Sequence, residues 1–379
     1  MSSLALDVGG TFIKAARIEG GRILDPVIRR PTPEFIAEGL ELGARELSPA
    51  DLDAAVFGVL ADLGIDDLGE SDVFISGQMA GLVFVDSRGQ AVENIITWQD
   101  TRYGDVGSLV TALGHQVIGD LGDGLRVGSP AVTLAGRESL PDAFATSLIA
   151  YVAGRIGGCR AERIHVTDAG SWGLLDTRRM RWSGAACQAV GISEQRLPEI
   201  TRRVEPVAAA LRVFTGLGDQ QAALWGAGLG ETQVSVNLAT GCQVSILSDD
   251  FTTAVQTRPY VDDHYLHTVT HLPAGRLLTA AVVQAFGDAS ADSWSRAVAD
   301  CSRNGLLLEA VDTIAQGVAG AVDRLGASGR EVLFSGGLVQ RFAPLREEVL
   351  TRLGNPPWQV FPGEDAALAG LAALEHRMP

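Results

Sequence analysis

Leu4-Ala5-Leu6-Asp7-Val8-Gly9-Gly10-Thr11-Phe12-Ile13-Lys14-Ala15-Ala16-Arg17 is the stretch that decides how this chain folds. An apolar run enters a two-glycine turn and leaves it as a second run of alternating character, which predicts a β-hairpin. The same design returns 230 residues later as Val234-Ser235-Val236-Asn237-Leu238-Ala239-Thr240-Gly241-Cys242-Gln243-Val244-Ser245-Ile246-Leu247. Asn237 stands in the place of Asp7, and the Gly/Thr turn recurs. Two hairpins of one kind, each opening a half-chain of mixed strands and helices, predict two similar α/β domains facing each other. The crossing begins at Glu205-Pro206-Val207, so the domains are expected over residues 1–212 and 213–379.

Between the hairpins, residues 72–76 read as a buried strand, and 82–86 and 95–98 as strands around the turn Ser87-Arg88-Gly89. Helices are expected over 141–156 and 193–202, with a glycine- and aspartate-rich loop over 119–129. In the second half, helices are expected over 220–228, over 306–325 as a long amphipathic element, and from Phe342 onward. Residues 331–334 read as a strand leading into Ser335-Gly336-Gly337. A final helix over 365–374 is built of small residues that permit close packing.

Composition narrows the function classes. A chain of 379 residues suits two domains, and 46% hydrophobic with 20% charged residues is ordinary globular usage. Thirty basic residues against 46 acidic ones give a net charge of −16, the wrong sign for gripping a phosphate backbone, so nucleic acid is not an expected partner. Apolar stretches such as 280–283 fall short of the ~20 residues a membrane span needs, and the first apolar run carries Asp7 with no basic segment before it, so neither membrane nor secretory leader is expected. Cys159, Cys187, Cys242 and Cys301 are scattered, which reads as reduced thiols and a cytoplasmic location. His264, His267 and His271 have helix-like metal spacing, but Tyr265 to His271 alternates as a strand and sets His264 on the opposite face.

Four segments carry candidate chemistry. In Asp7-Val8-Gly9-Gly10-Thr11, glycines let backbone N–H groups approach phosphate oxygens, Thr11 adds a hydroxyl donor, and Asp7 can hold Mg²⁺. Lys14, the single lysine among the 30 basic residues, supplies a point charge near the same turn. A second clamp at Asn237–Gly241, with Thr240 and Gly241 in its turn, would suit one polyphosphate held twice. In Thr215-Gly216-Leu217-Gly218-Asp219-Gln220-Gln221, the glycine-flanked Asp219 precedes an Ala-rich helix. It reads as an N-cap, or as a carboxylate able to take the proton of a substrate hydroxyl during phosphoryl transfer. Gln78 and Met79 in Ser76-Gly77-Gln78-Met79-Ala80-Gly81, with Trp98, Asp100 and Arg102 in Thr97-Trp98-Gln99-Asp100-Thr101-Arg102, offer polar groups and an apolar floor suited to polyol hydroxyls. Gly336 and Gly337 form a turn that can accept adenine or ribose against bare backbone.

In this order the segments resemble the FGGY carbohydrate kinases, a family of the actin/hexokinase-like superfamily. Within that family the likeness is greatest to sedoheptulokinases, through Thr97-Trp98-Gln99-Asp100, Asp168-Ala169-Gly170-Ser171-Trp172-Gly173, Arg258-Pro259-Tyr260 and Pro273-Ala274-Gly275-Arg276, and next to xylulokinases. The resemblance implies two actin-like (ribonuclease H-like) domains around a central cleft, in a compact version with shortened lobes. It implies ATP-dependent phosphorylation of a terminal hydroxyl of a ketose, sedoheptulose first and D-xylulose or another pentulose or polyol next, with ATP and Mg²⁺ as cofactors. Asp219 would be the general base and Asp7 the metal-associated carboxylate, with Gly10, Thr11, Lys14, Thr240 and Gly241 on phosphates and Gly336 and Gly337 on the adenosine. Gln78, Met79, Trp98, Asp100 and Arg102 would line the sugar pocket beside Asp219, and a homodimer would fit the family. Two departures stand out: Ala80 occupies a place where the family usually has His, and Gly10 one where many members have Thr. The rival expectation is a sugar- or nucleotide-binding protein without turnover.

Overall fold

The computed structural model describes residues 3–65, 71–122, 124–208, 212–361 and 365–377. In chain order, the first elements that position the site are β1 (Ser3–Val8), β2 (Phe12–Glu19), β3 (Arg22–Pro31), α1 (Pro49–Asp62) and β4 (Val73–Gly77). After them come α2 (Leu148–Gly157), β5 (Leu217–Gly218) and α3 (Asp219–Gly226). The later ones are β6 (Gln233–Leu238), β7 (Cys242–Ser248), β8 (Tyr265–Leu272), α4 (Gly275–Phe286) and α5 (Gly305–Arg324). The chain closes with β9 (Glu331–Ser335), α6 (Ala343–Arg352), β10 (Trp358–Val360) and α7 (Ala366–Glu375).

Contacts divide the chain into two compact units. One holds Met1–Gly226, Thr257–Tyr265 and Ala366–Pro379; the other holds Ala227–Gln256 and Leu266–Asp365. This differs from a single cut at residue 212, and the reason is strand pairing. β5 adds in parallel to β4, with Leu217 opposite Ser76 and Gly218 opposite Gly77, so Asp219 stays with the first unit. α3 then packs on α7 at near-backbone contact: a Cβ on Gly370 would lie 1.9 Å from the Ala222 carbonyl oxygen, and one on Gly226 would lie 2.4 Å from the Gly370 nitrogen. Only glycine at both positions allows that crossing.

The first unit's sheet runs β3-β2-β1-β4-β5. β1 is antiparallel to β2 and parallel to β4, and all six of its residues are buried, as a strand covered on both faces must be. α1 starts where the Ser48 side chain accepts the Asp51 N–H and Pro49 opens the first turn. It covers the sheet with Leu52, Val56, Val59 and Leu60, while α2 adds Leu148, Ile149 and Val152 to the same core.

In the second sheet, which has six strands, five run in the order β8-β7-β6-β9-β10, the same third-second-first-fourth-fifth sequence. Its core is filled by α5, whose Leu307, Val311, Ile314, Val318 and Val322 recur at helical spacing and are buried. α5 is long and apolar enough, by length and composition, to cross a membrane, against the expectation from the sequence; its apolar stripe is instead packed against strands and α6. The alternating segment around His267 is a strand, as its pattern predicts.

Three local expectations change. The helix expected over 141–156 begins only at Leu148, because Ser147 caps it by accepting the Ala150 N–H, and Phe144–Thr146 is a strand paired with Val83–Val85. The helix expected over 193–202 is a single 3₁₀ turn, Glu194–Arg196, followed by the strand Glu199–Thr201; Pro198 lacks the N–H a continuing helix needs. The helix expected from Phe342 starts earlier, as the short helix Gly337–Arg341 before α6.

Candidate active site

The site in the first unit is built at the C-terminal ends of its parallel strands, where open α/β sheets bind ligands. Asp7 lies opposite Lys14 on β2 and opposite Ser76 on β4, so the three side chains share one face. Asp7 is only 7% exposed, and the Ser76 hydroxyl donates to its Oδ1 at 2.9 Å. Lys14 is half-buried on the neighbouring strand. The turn that follows leaves Gly10 and Thr11 exposed. Gln78 donates its N–H to the Val8 carbonyl at 2.9 Å, and its Oε1 would be 3.7 Å from a Cβ on Gly10, so the end of β4 borders the turn.

Asp219 opens α3, one residue beyond the pairing of β5 with β4. Burial, and after it the negative charge of Asp7, push its carboxyl up to about 6; the Gln220 N–H, donated to Oδ1 at 2.8 Å, and the Arg258 charge pull the other way. The carboxyls of Asp7 and Asp219 therefore sense each other within one unit. Met79 leans on the same place, its sulfur 2.2 Å from where a Gly218 Cβ would sit. Gln78, Met79, Asp7 and Asp219 thus form one constellation.

Trp98, Asp100 and Arg102 are arranged differently. Trp98 is 46% exposed, available as an apolar surface. Asp100 is buried and fully occupied: it accepts the Arg45 N–H at 3.0 Å and the Arg102 N–H at 3.1 Å, and pairs with the Arg102 guanidinium at 2.8 Å. That guanidinium also meets Glu46 at 2.5 Å and stacks over Tyr103. Arg102 and Tyr103 line a polar cavity of about 490 Å³ with Glu46, Glu93 and Arg137, and neither Gln78, Met79 nor Asp219 lines it. The structure brings Asp100 and Arg102 to each other and to Glu46.

In the second unit, Asn237 lies opposite Gln243 on β7 and opposite Ser335 on β9. Thr240 and Gly241 form an exposed turn whose carbonyls at Ala239 and Thr240 accept the N–H groups of Gly275 and Arg276 at 3.0 Å each, seating the turn on the start of α4. Gly336 has φ +93° and would press a Cβ 2.3 Å from the Leu238 carbonyl oxygen, while Gly337 borders open space. The hairpin turn and the Gly336 turn are therefore neighbours within this unit.

Sequence reasoning gave no role to Arg258 or Asp168, each of which acts on Asp219 from far away in the chain. Asp168 is 1% exposed, takes a hydrogen bond from Ser147 at 2.5 Å on Oδ2, and has no partner for Oδ1. Burial, reinforced by the Asp219 charge, raises it to about 7 against the Ser147 bond. The signal available in the sequence was an Asp within an otherwise apolar and small-residue stretch, which does not by itself reveal its neighbour.

Comparison with solved structures settles the architecture. Xylulose kinase from Rhodospirillum rubrum superimposes with a TM-score of 0.85 at 18% identity, covering 99% of this chain and 90% of that one. Glycerol kinase from Plasmodium falciparum gives 0.81 at 17% identity, covering 98% and 88%, and gluconate kinase from Lactobacillus acidophilus gives 0.80 at 16%, covering 99% and 89%. This is the two-domain actin-like fold. By sequence, the chain is 29% identical to glycerol kinase 2 of Streptomyces avermitilis over 258 residues, 59% of this chain and 48% of that protein. It is 28% identical to a glycerol kinase of Corynebacterium kroppenstedtii over 208 residues, 45% of this chain and 39% of that protein. The chain thus spans about half or less of the curated relatives it matches, and no family model matches it.

Proposed function

We propose that this chain is an FGGY-type carbohydrate kinase that moves the terminal phosphoryl group of ATP to a hydroxyl of a sugar or polyol. The observation that carries the reading is the Asp7–Asp219 pair: two carboxyls at the ends of β1 and β5, which flank β4 on either side, one of them pushed up to about 6. An acid so weakened is poised to accept a proton near neutral pH, which a plain helix cap does not need. The fold and the kinase matches by structure and sequence support the same conclusion.

The residues fit the groups this reading requires. Two carboxyls brought together, with a hydroxyl on one of them, suit a hard divalent cation; Asp7 would hold Mg²⁺, and phosphate oxygens and water would complete its shell. Mg²⁺ supplies neutralisation of charge on the transferred group. Gly10 and Thr11 would offer backbone and hydroxyl donors to phosphate, with Lys14 as the fixed cation, and Thr240 and Gly241 would do the same from the second hairpin. Gly336 and Gly337 would leave bare backbone against the adenosine. Asp219 takes the substrate hydroxyl proton as the oxygen attacks. Gln78 and Met79 orient the polyol beside Asp219, with Trp98 as apolar floor, while Asp100 and Arg102 hold the shape of the loop that carries Trp98.

Among substrates, a ketose remains the first choice, sedoheptulose ahead of D-xylulose, and the names of the matching kinases add glycerol and gluconate to the panel. ADP release measured with each compound in the presence of Mg²⁺ and ATP tests the reading. At least one polyhydroxylated compound should raise turnover well above the sugar-free rate. If none does while sugar or nucleotide still binds, the chain is a binding protein and the kinase reading is lost.

A further inference from the structure

One short helix touches both halves of the constellation. Val166–Ala169 carries two hydroxyls four residues apart, on Thr167 and just beyond its end on Ser171, both buried. Thr167 Oγ1 accepts the N–H of Gly218, the residue before Asp219, at 3.3 Å. That hydroxyl lies 2.8 Å from His165 Nδ1, which also accepts the Thr167 N–H at 3.2 Å, so the ring nitrogen is the acceptor and the hydroxyl donates to it. Ser171 Oγ accepts the N–H of Ala80, the residue after Gln78-Met79, at 2.8 Å, and donates to the Asp168 carbonyl at 2.9 Å. Each hydroxyl therefore has its direction fixed: donor spent inside the helix segment, acceptor turned outward to one backbone N–H.

The Ala80 end of this arrangement is under tension. Ala80 has φ +61°, a left-handed conformation that costs a non-glycine residue roughly 1 kcal/mol. Its neighbour Gly81 is pressed against Leu148, where a Cβ would come within 2.8 Å of the Leu148 Cβ. A strained residue keeps such a conformation only where its surroundings hold it there. The bond from its N–H to Ser171 Oγ is a direct restraint of that kind, and the side chains it steadies are Gln78 and Met79.

The geometry points to Thr167 and Ser171 as a pair of positioning residues, Thr167 holding the backbone that presents Asp219 and Ser171 holding the turn that presents Gln78 and Met79. Neither hydroxyl is available to a substrate, since each is buried and both its donor and acceptor sides are used. The inference rests on the kinase reading for its kinetic consequence and makes a division of labour that reading does not require. Loss of the Thr167 hydroxyl should act on the proton-accepting step, and loss of the Ser171 hydroxyl on sugar affinity.

Steady-state kinetics of the full chain, with hydrogen exchange read at the Ala80 and Gly218 amides, tests this. Thr167→Val should lower kcat by roughly 10- to 100-fold with the sugar KM within about twofold, since small misplacements of a catalytic group have effects of that size. Ser171→Ala should raise the sugar KM roughly 10-fold with kcat little changed, the loss of one positioned hydrogen bond being of that order. Thr167→Ser and Ser171→Thr restore the hydroxyls and should recover most of each loss. Exchange should speed up at Gly218 in the first variant and at Ala80 in the second. The same kinetic change in both variants, or exchange that rises equally at both amides, overturns the inference. If the unmodified protein phosphorylates nothing in the panel, the kinase reading falls, and the exchange pattern alone decides whether the two hydroxyls hold separate segments.

Discussion

The two hairpin regions are built on one plan and differ in charge. In each unit five strands run in the order third-second-first-fourth-fifth, and the residue near the end of the first strand pairs with a serine on the fourth: Asp7 with Ser76, Asn237 with Ser335. The glycine after each serine sits under a carbonyl of the first strand, where a Cβ would come within 2.9 Å of Val8 O in one case and 2.3 Å of Leu238 O in the other. The backbone of the cradle is thus duplicated. The ionisable groups are not: Asn237 and Gln243 stand where the first hairpin has Asp7 and Lys14, and Asp219 follows the fifth strand of the first unit. On the proposed reading, either turn would offer N–H groups to phosphate, and among the described residues the first unit's hairpin and fifth strand carry the carboxyls that would hold a metal and take a proton.

The sharpest way to break this comparison is to remove the base. Asp219→Asn should lower kcat by about 10³-fold, in the range lost with a general base, while ATP binding measured by calorimetry stays near that of the unaltered protein. In the unaltered protein, turnover should fall on the acid side as Asp219 takes up its proton, with the midpoint below 6 where bound Mg²⁺ offsets the Asp7 charge. Retained turnover in the Asn variant would remove Asp219 from the chemistry. Next in size is an exchange between the units. Asp7→Asn should cost about 10²-fold in turnover and raise the Mg²⁺ concentration needed for half activity, whereas Asn237→Asp should leave turnover within a few-fold, since no metal role is assigned to that turn. Equal losses from the two substitutions would mean that both hairpins share the metal, and the contrast drawn between them would be wrong.

Much of this was legible in the sequence, and what was not has a physical reason. Periods of two and a repeated Gly/Thr turn are local signals, so both hairpins, the long α5 helix and the strand at β9 could be read directly. The boundary near residue 212 misplaced Asp219 because sheet membership depends on which distant strand β5 meets, and two residues, Leu217 and Gly218, carry almost no periodic pattern. Asp7 and Asp219 could be named as candidates from their glycine neighbours, but that one charge weakens the other as an acid is a fact of folded distance. Arg102 shows another fact of folded distance: its guanidinium pairs with Asp100 and Glu46, a contact the sequence does not reveal.

A smaller effect is expected from the glycines that make the cradles alike. Gly336→Ala must place a methyl group against Leu238 O at a φ that alanine resists, so the turn has to shift. We expect the KM for ATP to rise roughly 10-fold, with the sugar KM within twofold, because one displaced binding contact is worth about 1.4 kcal/mol. Steady-state kinetics with ATP and sugar varied in turn checks this; a change in the sugar KM alone would detach the Gly336 turn from the nucleotide.

The smallest expected effect concerns the layer beneath the site, where the first unit's charge asymmetry extends to Asp168. Its carboxyl is raised to about 7 in the folded protein from an ordinary 3.8, so the folded chain binds this proton more tightly than the unfolded one. For a raised carboxyl the sign is fixed: the group costs no stability below about pH 4, and increasingly destabilises the fold as pH climbs from there to about 7. Asp168→Asn removes the titration while its amide oxygen can still accept the Ser147 hydroxyl. The variant should therefore unfold at a higher temperature than the unaltered protein at pH 8, by the equivalent of roughly 1–3 kcal/mol, and lose that advantage at pH 4.5. Thermal unfolding followed by circular dichroism at the two pH values decides it. A difference that is the same at both pH values would show that Asp168 is held by hydrogen bonding alone and carries no part of the charge that sets the two units apart.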